Sequence, residues 1–256
     1  MLNSISRITA AHVTAADGDI GPVDDALFDD RSWAIRYLVV DAGTWLDERE
    51  VLISPYSIKQ PVGQGQEIEV ALTRRLVRAS PDIDTHRPVS RLQERELLRH
   101  YHYPEYWDGG GLWALGAMPY PSTTPLTRAA HHARHSVAPG DDHAPDMQLR
   151  SAEHVFDHDI QAGGHTLGQV EDFVFDDESW LIRYLVVDTR SWWPGGRKVL
   201  IALHWVDRVD WARQQIHVTL TREQVQSSPV FEDLASIHRD DETRLHANYL
   251  RPGCWA

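Results

Sequence analysis

One stretch of fourteen residues occurs twice in this chain. Residues 28–41 read FDDRSWAIRYLVVD and residues 175–188 read FDDESWLIRYLVVD, so only Arg31/Glu178 and Ala34/Leu181 differ. Each copy opens with an acidic pair suited to a turn, passes a tryptophan, and continues into a β-branched apolar run closed by aspartate. The run is short for a helix and has the composition of a strand. Alternation sets Ile35, Tyr37 and Val39 on one face and Arg36, Leu38 and Val40 on the other. Since Leu38, Val39 and Val40 make both faces apolar, the end of this strand is expected to be covered from both sides, at the centre of a domain. Two near-identical copies then imply two similar domains.

The rest of the chain follows the same duplicated plan. Ala10–Ala15 reads as a short strand, Asp17-Gly18-Asp19 as a turn, and Ile20-Gly21 as the start of a second strand; Leu167-Gly168 opens the equivalent strand in the second copy. A glycine in a strand pattern marks a bulge or a close backbone approach, and Gly21 and Gly168 hold equivalent positions. After the repeated strand comes a loop of unequal length, Ala42–Glu50 in one copy and Thr189–Lys198 in the other, as expected of a surface hairpin. Val51-Leu52-Ile53 then matches Val199-Leu200-Ile201. Thr221 with Gln224 has capping-box spacing and predicts a short helix ending near Ser227-Ser228-Pro229, with Thr73 to Ser80-Pro81 as its counterpart.

Each copy carries a tail. Ser90 and Gln93 form a second capping-box pattern ahead of a helix bearing Leu92, Leu97 and Leu98 and stopped at Pro104; Arg239–Tyr249 is its counterpart, with Pro252 and Trp255 matching Pro104 and Trp107. Between the copies, residues 108–147 have linker composition, rich in Gly, Pro and His. Thr124-Pro125 can start a helix there, and Leu112, Trp113, Leu115 and Met118 are too apolar for a free tether. The organisation expected is a first repeat with a helical tail over 1–107, a linker over 108–147, and a second repeat with its tail over 148–256.

Composition narrows the functional classes. A formal net charge of −13 argues against a phosphate-backbone ligand, which needs clustered Lys and Arg, so no nucleic-acid partner is expected. No apolar run approaches the roughly 18 residues needed to span a bilayer. The N-terminal MLNSISRITAAHV lacks a signal-peptide pattern, and the single Cys254 rules out an internal disulfide; both point to the cytoplasm.

The ordered blocks W-x-I-R-Y-L-V-V-D, G-R-K-V-L-I over Gly196–Ile201, and L-T-R followed by S-P resemble the PRC-barrel family. The tail RPVSR…HYHYPEYW is similar to the segment that follows the barrel in bacterial members. The resemblance covers both copies. It implies an all-β chain with minor α: two PRC-barrel-like small β-barrels in tandem, each followed by short helices. The cytoplasmic domain of the photosynthetic reaction centre H subunit has this fold, as does a domain of a ribosome maturation factor. The H-subunit likeness implies docking against other proteins, in electron-transfer or photosynthetic assemblies. Unlike that subunit, this chain has no transmembrane run ahead of its first copy.

Four groups of side chains were weighed as sites. The carboxylate pairs Asp24-Asp25, Asp29-Asp30, Glu171-Asp172 and Asp176-Asp177 read as turn residues, since catalysis would require them to converge in a cleft. His131 and His135, at i, i+4, could ligate a transition metal with help from His143, against the alternative of a solvated linker; no cofactor is otherwise expected. Arg36 and Arg183 each need a carboxylate, a cross-strand acid inside the fold or one across an interface. Trp192 and Trp193, in a glycine-bounded loop, are candidate interface anchors, or else pack on the neighbouring unit. No nucleophile elbow, dinucleotide fingerprint or P-loop occurs, and Cys254 is near the C-terminus. The expectation is a non-enzymatic module that binds an unidentified protein partner, with a homo-oligomer among the options. The alternative is a small-molecule or metal sensor built on the His-rich linker.

Overall fold

In a computed structural model of the chain, the repeated stretch forms two equivalent strands that cross at their starts. The structure describes residues 1–119 and 149–232, apart from Ala10, Glu48, residues 63–66, His86, Gly110, Leu115, Ser191 and Trp193. Two sheets with a few short helices make the chain mostly β.

The first sheet is built from β2 (His12–Ala15), β3 (Gly18–Asp29), β4 (Ile35–Asp41), β5 (Glu50–Ile53) and β6 (Glu67–Glu69), in the order β5-β4-β3-β2-β6. The second comprises β8 (Asp159–Ala162), β9 (His165–Asp176), β10 (Leu181–Asp188), β11 (Lys198–Ala202), β12 (Val206–Asp210) and β13 (Gln215–Val218), in the order β11-β10-β9-β8-β13-β12. Pairing is antiparallel except where β2 meets β6 and β8 meets β13. Among the described residues, no pairing joins the end strands of either sheet.

The repeated strand is central, as its composition predicts. Every residue from Ile35 to Val40 is buried, and each fully buried Ile, Leu or Val contributes on the order of 1.5–3 kcal/mol. The two glycines do what their placement predicts. A Cβ on Gly21 would lie 1.8 Å from the carbonyl oxygen of Asp41, and one on Gly168 would lie 2.4 Å from that of Asp188. Each sits beside a bulge, at Val13/Thr14 or at Ile160/Gln161, where β3 or β9 passes close against the end of the following strand.

The two units trade edges. β1 (Leu2–Ser4) pairs with β9 of the second unit, and β7 (Leu149–Ser151) pairs with β3 of the first. Shifted by 147 residues, the interval from Phe28 to Phe175, the two registers coincide: Leu2↔Asp176 and Leu149↔Asp29, Asn3↔Phe175 and Arg150↔Phe28, Ser4↔Val174 and Ser151↔Leu27. The turns before β4 and β10 interlock similarly. Trp33 and Trp180 take the left-handed conformation, at φ 59° and 57°. The carbonyl of Trp180 accepts from Ile35 N (2.8 Å), and that of Trp33 accepts from Ile182 N (3.0 Å). Ala34 and Leu181 form an antiparallel bridge at the crossing. One hydrophobic core runs through both units.

The capped helices form as the spacing predicts. Thr221 and Gln224 close a capping box on α4 (Arg222–Ser227), Ser90 and Gln93 do the same on α3 (Arg91–His100), and Thr73 alone caps α2 (Arg74–Arg78). A further single turn, α1, covers Ile5–Ile8. Two details differ from the sequence expectation. Leu92 is 62% exposed, so the buried stripe of α3 is Glu94, Leu97 and Leu98. The helix stops at His100, ahead of Pro104, because His102 turns left-handed (φ 60°). No described helix is long and apolar enough to cross a membrane.

Candidate functional site

The hairpin after the repeated strand separates the two units most clearly. Trp45 and Trp192 are equivalent under the same 147-residue shift. In the first unit the loop folds into a 3-10 turn at Gly43–Leu46 and Trp45 is held down: its Nε1 donates to the Ile20 carbonyl (2.7 Å), and the guanidiniums of Arg74 and Arg78 lie 4.2 and 5.7 Å from its ring. In the second unit Trp192 is 37% exposed. The base of that hairpin is fixed by Arg190, which donates from Nη2 to Asp188 at 2.6 Å and holds the Asp188 carboxyl below its ordinary value. Trp193 lies outside the described residues.

Arg36 is 3% exposed and turned inward, the position the ion-pair reading expects. Its guanidinium stacks under Tyr106 (3.8 Å) and Trp113 (4.7 Å), donates to the Leu112 carbonyl (2.7 Å) and the Ser32 hydroxyl (3.2 Å), and lies 3.6 Å from Asp29. Asp29 is on the neighbouring strand β3, so the cross-strand acid is the one used. Tail and linker thus form the lid of this residue. Trp113 also donates to the Ser179 carbonyl of the second unit (2.8 Å). Arg183, the equivalent, is half-buried. Next to Arg36 lies Glu94, fully buried, which accepts from the Tyr106 hydroxyl (2.6 Å) and from Arg91 (3.2 Å). Burial raises its carboxyl to about 7, although Arg91, Tyr106, Arg36 and Tyr37 all act to lower it.

The carboxylate pairs divide by position. Asp29 and Asp176 are turn residues, accepting the amides of Arg31 (2.9 Å) and Glu178 (2.9 Å). Asp25 and Asp172 are not turn residues: each lies inside a long strand at a bulge and is buried or bonded to the exchanged segment. Asp25 accepts from Glu153 N (3.2 Å) and Asp172 from Ser6 N (3.1 Å), and burial raises both carboxyls. They anchor structure rather than converge on a substrate.

A hollow lies along the seam where β7 joins the first sheet. It has a volume of about 360 Å³, with Leu27, Val89, Leu149 and Val155 as apolar floor and Arg87, Arg150, His154, His158 and Trp211 around it. The described lining contains no Asp or Glu, so it is not the acidic cleft that catalysis by the paired carboxylates would need. His131, His135 and His143 lie outside the described residues. Among those described, no group of three His, Cys, Asp or Glu could hold a metal ion.

No family model matches the chain, and no curated protein matches it.

Sequence reasoning missed Trp45 as the partner of Trp192, Glu94 as a buried acid, and the seam residues. The first was available from the 147-residue shift. Glu94 sits in a capped, charge-rich helix that reads as solvated, and the seam gathers side chains from segments too distant in sequence to be read together.

Proposed function

We propose that this chain is a tandem PRC-barrel protein acting as a non-catalytic protein-binding or assembly module in the cytoplasm. Partners in electron-transfer or photosynthetic complexes are the class the family resemblance suggests. The contrast between Trp45 and Trp192 supports this reading most directly. One copy of the hairpin uses two arginines and a hydrogen bond to hold its tryptophan against its own unit, while the other presents it on a braced loop. An indole is a large, rigid contact that loses little conformational freedom on binding, which makes it an effective anchor in a protein interface. The mostly antiparallel pairing in the two sheets, the bulges beside Gly21 and Gly168 and the ordered family-like blocks support the barrel assignment.

The test is a photo-crosslinking amino acid at position 192, followed by purification of the crosslinked protein and a binding titration. A Trp192→Ala variant that keeps its thermal midpoint and loses at least about tenfold in affinity agrees with the proposal. Unchanged affinity in that variant rejects the hairpin as the interface.

A further inference from the structure

We propose that the seam between the two units is a binding site for a small organic monocarboxylate with an alkyl or aryl body. The reading is independent of the hairpin and of any protein partner.

The shape and chemistry of the hollow carry it. About 360 Å³ is at the small end of ligand-sized pockets. Its floor is apolar and buried: Leu27, Val89, Leu149 and Val155. Its polar side carries the guanidiniums of Arg87 and Arg150 in a chain of net charge −13, with no described carboxylate in the lining itself and Asp84 and Asp30 pairing with those arginines from beside it. Two guanidiniums beside an apolar lining suit an anionic head on an apolar body.

The arginines are arranged for such a ligand. Arg150 is bonded through Nε to Asp30 (3.1 Å), and Arg87 through Nε to Asp84 (3.2 Å). The N–H groups of a guanidinium can grip a carboxylate in a two-point fork. Arg150 also lies 4.4 Å from the ring of Trp211, which fixes the plane of its guanidinium. His158, 4% exposed, packs edge-on to the same ring, and burial lowers its pKa, so it is neutral near pH 7 and adds a polar atom without charge.

The repeat supplies a control within the same molecule. The strand exchange happens twice, with the same register: His154 and Ser151 have the polar counterparts Arg7 and Ser4, but Arg150 and His158 have no like counterpart. The counterpart of Arg150 is Asn3 and that of His158 is Ala11. The exchange on the other side is made without a guanidinium or an imidazole at these places. Arg150 pairs with Asp30, whose counterpart Asp177 is met by the Met1 ammonium instead, which leaves His158, buried on the hollow, as the polar group that the other exchange lacks.

Isothermal titration of the full chain with octanoate tests the proposal, with acetate as the head group alone and 1-octanol as the body alone. Octanoate is expected to saturate one site per chain, with both fragments at least about tenfold weaker. An Arg87→Glu/His154→Glu variant changes two exposed side chains and is expected to weaken octanoate by about tenfold or more at unchanged thermal midpoint. If that variant melts differently, Gln214→Glu, also in the lining, replaces it. Absence of saturable octanoate binding up to millimolar concentration, or equal binding in the variants and the parent, overturns the proposal.

Discussion

Asp172, in the second unit, accepts the backbone amide of Ser6 at 3.1 Å, while Asp25, in the first, accepts that of Glu153 at 3.2 Å. Each carboxylate, buried at Asp25 and half-buried at Asp172, thus clamps the segment that the other half contributes to its sheet. Asp172→Ala or Asp25→Ala removes the acceptor of that amide and is expected to cost about 0.5–1.5 kcal/mol of stability. The asparagine variants keep an acceptor oxygen without the desolvated charge and should lose less. Urea unfolding gives the stabilities, and hydrogen exchange at Ser6 or Glu153 shows whether the clamp has opened; equal losses for Ala and Asn would discount the hydrogen bond.

Glu94 makes stability depend on pH. Its carboxyl is raised from 4.5 to about 7 by burial. Below pH 4.5 it is protonated in both folded and unfolded chains. Between there and about 7 only the folded chain holds the proton, so stability falls as pH rises, by roughly 3 kcal/mol in all, and levels off above. Glu94→Gln keeps the contact with Tyr106 and removes the titration. The urea midpoint difference between variant and parent should therefore grow in the variant's favour from pH 5 to 8. A constant difference across that range would mean Glu94 does not titrate there.

Gly21→Ala drives a Cβ to 1.8 Å from the Asp41 carbonyl, so backbone must move. The expected loss is on the order of 3 kcal/mol or more. Gly43→Ala is the comparison: φ there is 58°, but nothing lies within 4 Å, so only the left-handed conformation is penalised, by about 1–2 kcal/mol. Thermal melts of the two variants should separate clearly, with Gly21→Ala the lower.

Arg36→Ala removes a buried cation and leaves Asp29 without it, together with an empty space under Tyr106 and Trp113. A loss of about 3–5 kcal/mol is expected. Arg183→Ala, at the half-buried equivalent, should change stability by less than about 1 kcal/mol. Similar losses at both positions would show that the aromatic lid contributes nothing.

What could be read from the sequence was local or periodic. The strand pattern of residues 35–40, the close approach at Gly21 and Gly168, and the capping boxes at Ser90 and Thr221 all depend on near neighbours, and all appear in the structure. What could not be read was assembled from distance. β1 and β7 are three residues each, too short for periodicity to register, and their partners are more than a hundred residues away. The cover over Arg36 could not be read because it comes from Tyr106 and Trp113 in the tail and linker. The seam residues Arg150, His158 and Trp211 acquire meaning only when β7 is laid against the other unit.

A two-fold axis between identical subunits sets residues on it against their own copies. At the crossing of the two units Ala34 faces Leu181, and this is one of just two places where the fourteen-residue copies differ. Two leucines there would crowd and two alanines would leave a gap, whereas a small side chain against a large one fits. Fusion into a single polypeptide released that spot from self-complementarity. Each half now recognises the other as a lock of different cut, a match it cannot reproduce with a twin of itself.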